Sequence, residues 1–349
     1  MMTYNTSTEL AEKYQALKQL EPGLRIYDAA QRLEVSEMEL LQLQLGNGVI
    51  RLRDNFMEML PEVKTFGTVM ALTRNHWVVH ERKGVYDNVS FVHGGSVGLA
   101  VNPDIDLRLF MNRWKYAFAA TIPGGKDRIL YSLQFFNPAG EAIHKIYLTD
   151  TSDRDAYETF VAKYTHSEQV TLDFKAAPLE VNPGRNSLSP DEIAAFQEHW
   201  IRLQDTHDFF PLLKKFNISR TAALRFAPEG YTRQIEIGKI STMLEQAAAQ
   251  QVPIMVFVEN EACIQIHTGE VHKILPLNSW INVMDPLFNL HLNLDGVGEA
   301  WITRKPTVDG VVTGVELFDR GGKLLVYFFG KRKPGLPELE TWRSLVDAL

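Results

Sequence analysis

The sequence predicts an α+β fold built as a tandem structural duplication, each half a large antiparallel β-sheet with flanking helices. The first observation is an internal repeat. Val35-Ser36 recurs as Ile218-Ser219, and Asn102-Pro103…Leu107-Arg108-Leu109 recurs as Asp285-Pro286…Leu290-His291-Leu292. Phe136-Asn137-Pro138-Ala139-Gly140 recurs as Phe318-Asp319-Arg320-Gly321-Gly322, and the offset is always 182 or 183 residues. That period is too long for a solenoid, whose units run to roughly 20–50 residues. The second observation is the order of patterns: helical spacing opens each half and β-rich segments follow, which is an α+β rather than an alternating order. The third is length, since 349 residues suit two domains.

In the first half, Leu10, Tyr14 and Leu17 give helical spacing, and Ile26 to Ala30 starts a second short helix. Ser36 with Glu39 three residues on forms a capping box. From Val69 to Leu148 the pattern turns β-rich: His76–His80, Ser96–Val101, Leu107–Phe110, Leu130–Phe135 and Ile143–Leu148 are separated by Gly, Pro, Asn or Asp. Residues 166–188, with Pro178, Pro183 and Gly184 among polar neighbours, read as a linker between an N-terminal repeat over 1–165 and a C-terminal repeat over 189–349. Ser189-Pro190-Asp191-Glu192 restarts a helix, with Ser at the N-cap, Pro at N1 and Glu at N3, running to about Asp205. Asp208 and Pro211 mark a fresh first turn, so His207 sits at a helix–helix junction. Strands follow from Ile254 to about Phe329, and Leu339–Leu349 reads as a terminal helix.

Hydrophobic residues at 45% and charged residues at 23% describe an ordinary globular chain with a real core. The net charge of −7 argues against a general nucleic-acid or anionic-membrane binder. No apolar run approaches the ~20 residues of a membrane span and the first residues lack an apolar signal core, so a cytoplasmic location is expected. The sole cysteine, Cys263, lies in an apolar run and reads as a buried filler. His93-Gly94-Gly95-Ser96 lacks the Lys-Ser/Thr of a phosphate loop and reads as a plain turn. His76, His80 and His93 read as surface or core histidines.

Comparison of the halves singles out positions where the second gains a cation or an imidazole. Arg220 falls opposite Glu37, Lys305 opposite Ile122, Arg332 opposite Asp150 and His207 opposite Leu24. In the first half, Arg108 stands mid-strand between Leu107 and Leu109, so it points away from the face those leucines occupy. Two readings stand side by side: charge drift between duplicated domains, or one site for an anionic ligand that coordinates histidine.

Thr206-His207-Asp208-Phe209-Phe210, Asp106-Leu107-Arg108-Leu109-Phe110, Ala71-Leu72-Thr73-Arg74-Asn75, Trp301-Ile302-Thr303-Arg304-Lys305-Pro306 and Phe329-Gly330-Lys331-Arg332 together resemble the cytoplasmic hemin-utilisation proteins of Gram-negative bacteria. These are the HemS, HmuS, ChuS and PhuS type, or hemin-degrading factors, and the likeness runs in order from about Tyr14 to Leu349. The resemblance implies haem b as ligand and substrate. It implies His207 as the axial iron ligand and Arg108 as the residue on the opposite face, reaching the iron directly or through water and serving catalysis. Lys305, Arg332 and Arg220 would meet the propionates or the polar rim, Phe110 would line the distal wall, and Met255, Phe257 and Gln265 would form further walls. Phe329 stands where some relatives have Tyr, which removes a hydroxyl at the propionate end. The chemistry agrees: haem is an apolar ring with two carboxylates and an iron that accepts imidazole, and buried carboxylates need cations.

The functional expectation is a haem-binding protein of haem-iron utilisation that opens the ring oxidatively, with an external electron donor and a reductase partner. The alternative is a carrier that delivers haem to a separate haem oxygenase. An inner-membrane haem transporter is the expected haem donor.

Overall fold

A computed structural model describes residues 7–125, 128–172, 184–333 and 335–349. The first half runs α1 (Ser7–Leu20), α2 (Ile26–Leu33), α3 (Glu37–Gln42), β1 (Val49–Leu52), α4 (Phe56–Glu62), β2 (Thr68–Arg74), β3 (Val78–Val85), β4 (Val89–Val92), β5 (Val97–Val101), β6 (Asp106–Phe110), β7 (Tyr116–Pro123), β8 (Ile129–Phe136), β9 (Ala142–Leu148) and α5 (Arg154–Tyr164). The second runs α6 (Pro190–Ile201), a 3-10 turn (Thr206–Asp208), α7 (Phe209–Phe216), α8 (Arg220–Arg225), β10 (Thr232–Ile235) and α9 (Lys239–Ala249). It continues through β11 (Ile254–Glu259), β12 (Cys263–Gly269), β13 (Ile274–Leu277), β14 (Trp280–Met284), β15 (Phe288–Asn293), β16 (Glu299–Thr307), β17 (Gly310–Phe318), β18 (Leu324–Gly330) and α10 (Glu340–Asp347).

The strands form two nine-stranded antiparallel sheets, ordered β1-β7-β8-β9-β2-β3-β15-β14-β13 and β10-β16-β17-β18-β11-β12-β6-β5-β4. The two orders are the same once β1–β9 are exchanged for β10–β18, as a duplication requires. Local detail repeats too. A bulge falls between Phe135 and Phe136 in one half and between Leu317 and Phe318 in the other. The turns that follow are closed alike: Asn137 Oδ1 accepts from Ala139 and Glu141 N–H, and Asp319 Oδ1 accepts from Gly321 and Lys323 N–H.

The compact units exchange short pieces of chain. One comprises Met1–Thr73, Lys83–Leu179 and Asn260–Ile264; the other comprises Arg74–Arg82, Glu180–Glu259 and Gln265–Leu349. Part of the expected linker, residues 173–183, lies outside the described residues. The Ser189 capping box is present, and the helix it starts ends at Ile201 rather than near Asp205. Its last turn gives way to Arg202 and then to the 3-10 turn, whose own capping box is made by Asp205 and Asp208. Cys263 is fully buried as expected, and burial pushes its thiol up to about 12. His93–Gly95 is a 3-10 turn with Gly94 at φ +66°.

In the second unit, strand alternation divides the sheet into two unlike faces. Ile254, Val256, Val258, Ala300, Ile302, Val315, Leu317, Val326 and Phe328 pack against Ile240, Met243 and Leu244 of α9 and Trp342, Leu345 and Val346 of α10. Trp342 Nε1 donates to the Thr313 carbonyl at 2.9 Å. Gly330 makes room for that indole, since a Cβ there would lie 2.6 Å from it. The residues between these apolar positions occupy the opposite face, where the candidate site is found.

Candidate functional site

Antiparallel register lines up the second unit's site face. Met255 on β11 pairs with Phe329 on β18, Phe329 with Gly314 on β17, and Gly314 with Thr303 on β16. The next row is Phe257, Tyr327, Glu316 and Trp301. Phe257 stacks on Tyr327, with ring centroids 4.6 Å apart and planes 16° from parallel, and Phe329 stands edge-on to both at 5.6 Å. Such offset and edge-to-face pairs are the favoured aromatic arrangements. Gly314 is required here, because a Cβ would come 2.5 Å from the Phe329 ring.

Glu316 lies in the middle of this face and is fully buried. Arg220 Nε donates to its Oε2 at 2.7 Å, Thr303 Oγ1 donates to Oε1 at 3.1 Å, and Lys305 Nζ also donates to Oε1. Burial alone would raise the Glu316 pKa, but Arg220 and Lys305 outweigh it and hold the carboxyl well below the usual range. For Arg220, burial opposes the charge and Glu316 more than restores it, so its pKa is raised. Lys305 is lowered by burial and by Arg220, against the pull of Glu316. Both cations lie over the Phe209 ring, Lys305 Nζ at 4.6 Å and the Arg220 guanidinium at 5.5 Å from its centroid. Lys305 is thus a buried residue rather than a rim residue, while the Arg220 side chain remains 25% exposed.

Phe209 opens α7, and the turn just before it carries His207. The His207 side chain is 93% exposed. Its orientation comes from Asp205, whose Oδ1 accepts from the His207 backbone N–H at 2.8 Å and from ring Nδ1 at 2.6 Å. These bonds, the backbone one foremost, hold the Asp205 carboxyl below its ordinary pKa, and Arg332 adds to the effect. An imidazole that gives its Nδ1 proton to a carboxylate presents Nε2 as the coordinating nitrogen. Asp205 went unnoticed in the sequence, where it looks like an ordinary helix-entry acid; the signal was an acidic residue two before the junction histidine. Asp205→Ala is expected to weaken any metal-centred ligand about 10- to 100-fold, the usual cost of losing such a partner, with a smaller loss for Asp205→Asn; titration of the three proteins side by side checks the order.

His199, the other histidine near the junction, has both ring nitrogens engaged. Nδ1 meets the Ala195 carbonyl at 2.8 Å and Nε2 accepts from Lys215 Nζ. Arg332 lies 3.7 Å from Asp309 through Nη2, while its Nε is buried with no hydrogen-bond partner among the described residues. A buried donor without an acceptor costs about 1–3 kcal/mol, so Arg332 suits an anionic ligand. Arg220, Lys305 and Phe209 thus meet around Glu316, Phe257 and Phe329 pack with Tyr327 on the same face beside Met255, and His207 stands two residues before Phe209. Gln265 is also in this unit and is fully buried.

Arg108 and Phe110 belong to the other unit. On β6 the residues alternate as expected: Leu107 and Leu109 are fully buried, and Arg108 leaves that face. The Arg108 guanidinium pairs with Asp106 and donates to the Leu107 carbonyl at 3.2 Å. Phe110 is half-buried.

The sequence profile of the haemin-degrading HemS.ChuX domain matches residues 34–164 and again 217–349. The hemin transport protein HmuS of Yersinia pestis is 36% identical over 346 residues, covering 98% of each chain. The crystal structure of holo-PhuS, a heme-binding protein from Pseudomonas aeruginosa, superposes with a TM-score of 0.93 at 42% identity over 99% of both chains. The heme-degrading enzyme ChuS of Escherichia coli O157:H7 superposes with a TM-score of 0.89 at 32% identity, again over 99% of both. Among the described residues, no helix is long and apolar enough to cross a membrane.

Proposed function

Because the chain belongs to the haemin-degrading HemS.ChuX domain family, we propose that it binds haem in haem-iron utilisation, with His207 Nε2 as the iron's axial ligand. The observation that carries this reading is the Asp205–His207 pair, a solvent-exposed imidazole whose outer nitrogen is set by a carboxylate. One histidine suffices for an iron whose other equatorial ligands are carried by the porphyrin. The neighbouring side chains suit the rest of haem: the Phe257–Tyr327–Phe329 rings its apolar body, and Arg220, Lys305 and the buried Arg332 Nε its carboxylates. The names of the relatives support the ligand: PhuS is a heme-binding protein, ChuS a heme-degrading enzyme and HmuS a hemin transport protein.

The fate proposed for the haem is ring opening by dioxygen as the oxidant, with one meso carbon leaving as a one-carbon product such as carbon monoxide and the iron released. Bound haem supplies the redox centre for that chemistry, and electrons come from an external donor. Arg108 is assigned to serving that chemistry, as the family resemblance implies. Its guanidinium, already paired with Asp106, keeps further N–H donors for a group that develops negative charge. Phe110 is assigned to the haem contacts on the same ground. A second reading, delivery of intact haem to a separate oxygenase, is favoured by one observation: the ligand histidine stands on a three-residue turn, 93% exposed, where an acceptor can reach it.

The two are told apart by mixing the haem complex with ascorbate or a reductase in air, with catalase present to remove free peroxide. Ring opening predicts loss of the Soret band with release of a defined one-carbon product such as carbon monoxide. A band that persists until an added haem oxygenase takes the haem establishes delivery instead.

A further inference from the structure

The duplicated halves treat one buried polar position differently. In the first unit, Glu37 opens α3 and its carboxylate accepts from Lys145 of β9, both nearly fully buried. In the second unit the equivalent helix start carries Arg220, the carboxylate has moved into the sheet as Glu316, and Lys305 is added. A carboxylate held by one cation has become a carboxylate held by two. Ions taken out of water need partners, and Glu316 serves both cations at once. Its two oxygens are occupied by Arg220, Lys305 and Thr303, so the carboxylate cannot turn aside. Arg220 commits Nε to Glu316, yet a quarter of its side chain is exposed. A guanidinium has five N–H donors.

We propose that Glu316 is the positioning and specificity-setting counter-ion of a carboxylate pocket, holding Arg220 and Lys305 in place to receive a carboxylate of the bound ligand and setting how positive their cluster is. This rests on the haem reading, and it adds why a buried acid stands where an anion is to be received. Without Glu316, two cations would share one desolvated site and repel; with it they are spaced by a common acceptor. The same pair sits over Phe209, the first residue of α7, so the pocket is tied to the turn that carries His207. Glu259 is also in electrostatic range of Arg220 and Glu316. Each substitution below changes the cluster by one charge whatever the state of Glu259.

The test compares haem with haem dimethyl ester, which keeps the ring and iron and lacks both carboxylates. Both are titrated into the wild-type chain, Glu316→Gln, Lys305→Gln and the double variant. The preference for the acid over the ester is expected to rise at least about tenfold in Glu316→Gln, fall by about as much in Lys305→Gln, and return to the wild-type value in the double variant, following cluster charge. A merely structural Glu316 would lower both affinities together and leave their ratio unmoved; that result overturns the proposal. If Glu316→Gln fails to fold, Lys305→Gln and the double variant, which removes both charged partners at once, still decide: equal ratios in these two refute the charge count. A wild-type chain that binds neither compound refutes the haem reading itself. One that binds both equally well refutes only the carboxylate pocket.

Discussion

His207→Ala is expected to lower haem affinity by at least about 100-fold and to displace the Soret band. Loss of an outer-shell partner alone costs about 10- to 100-fold in metal affinity, and the loss of the ligand itself must exceed that. Rescue from nearby is excluded by geometry. His199 gives Nδ1 to a backbone carbonyl and receives Lys215 at Nε2, so it would have to break both contacts to reach a metal. Free imidazole added to the variant is expected to restore a wild-type-like band, because the remaining contacts to ring and carboxylates are untouched. Optical titration with and without imidazole measures both effects. An unchanged spectrum and affinity would assign the iron to another side chain.

A second large effect is expected on acidification. His144 and His267 are buried, and burial, joined for His267 by Arg82, pushes each imidazole down to about 3. His80, fully buried, is lowered well below its ordinary value by desolvation, with His267 and Arg82 adding to it. Nε2 of His144 meets no hydrogen-bond partner among the described residues, and at His267 the Glu270 and Gly269 backbone offsets only a small part of the burial. His267 lies parallel to Phe288 with centroids 3.8 Å apart, packed as an apolar ring. The folded-state pKa is below the unfolded one, so the unfolded chain binds protons first. These histidines therefore support folding fully above pH 6.5, and the support falls as pH drops from about 6.5 toward 3. At pH 5 His144 and His267 each lose about 2 kcal/mol, a large part of a typical 5–15 kcal/mol stability, and His80 acts in the same direction. Glu316, whose pKa is also lowered, loses its contribution in the same direction, beginning as pH falls through the ordinary carboxylate range, from about pH 5 downward. Denaturant midpoints at pH 7 and pH 5 check this, with the drop expected to shrink in His144→Asn. Equal midpoints would show that these imidazoles find proton acceptors in the fold.

The duplication was legible because turns carry their own chemistry. Asn137 and Asp319 close matching loops with the same side-chain bonds, so the repeat survives where the strands between have diverged. His207 could be placed at a junction because Asp208 and Pro211 mark a helix start, and Arg108 could be turned off the leucine face by alternation alone. Long-range pairing was not legible. Glu316 lies in an apolar run, Val311-Val312-Thr313-Gly314-Val315-Glu316-Leu317-Phe318, and its partner Arg220 is 96 residues away. Lone charge inside such a run was the available clue. Lys305 was expected at the propionates or the polar rim, without its buried partner, since nothing local announces the Glu316 carboxylate beside it. β7 escaped notice because Ala117, Ala119 and Ala120 weaken its strand signature. The exchange of residues 74–82 and 260–264 between the units depends on bonds such as those of Asn75 to the Glu259 and Leu325 carbonyls, far apart in sequence.

In the proposed complex one imidazole, oriented by Asp205, takes the iron while Arg220, Lys305 and Arg332 receive the acid groups. A crystal structure of the haem-loaded chain tests it most directly. It should show His207 Nε2 bonded to iron, Asp205 still on Nδ1, and at least one propionate at the Arg220 or Arg332 guanidinium. Iron bonded to any other side chain, with His207 left facing solvent, would contradict it.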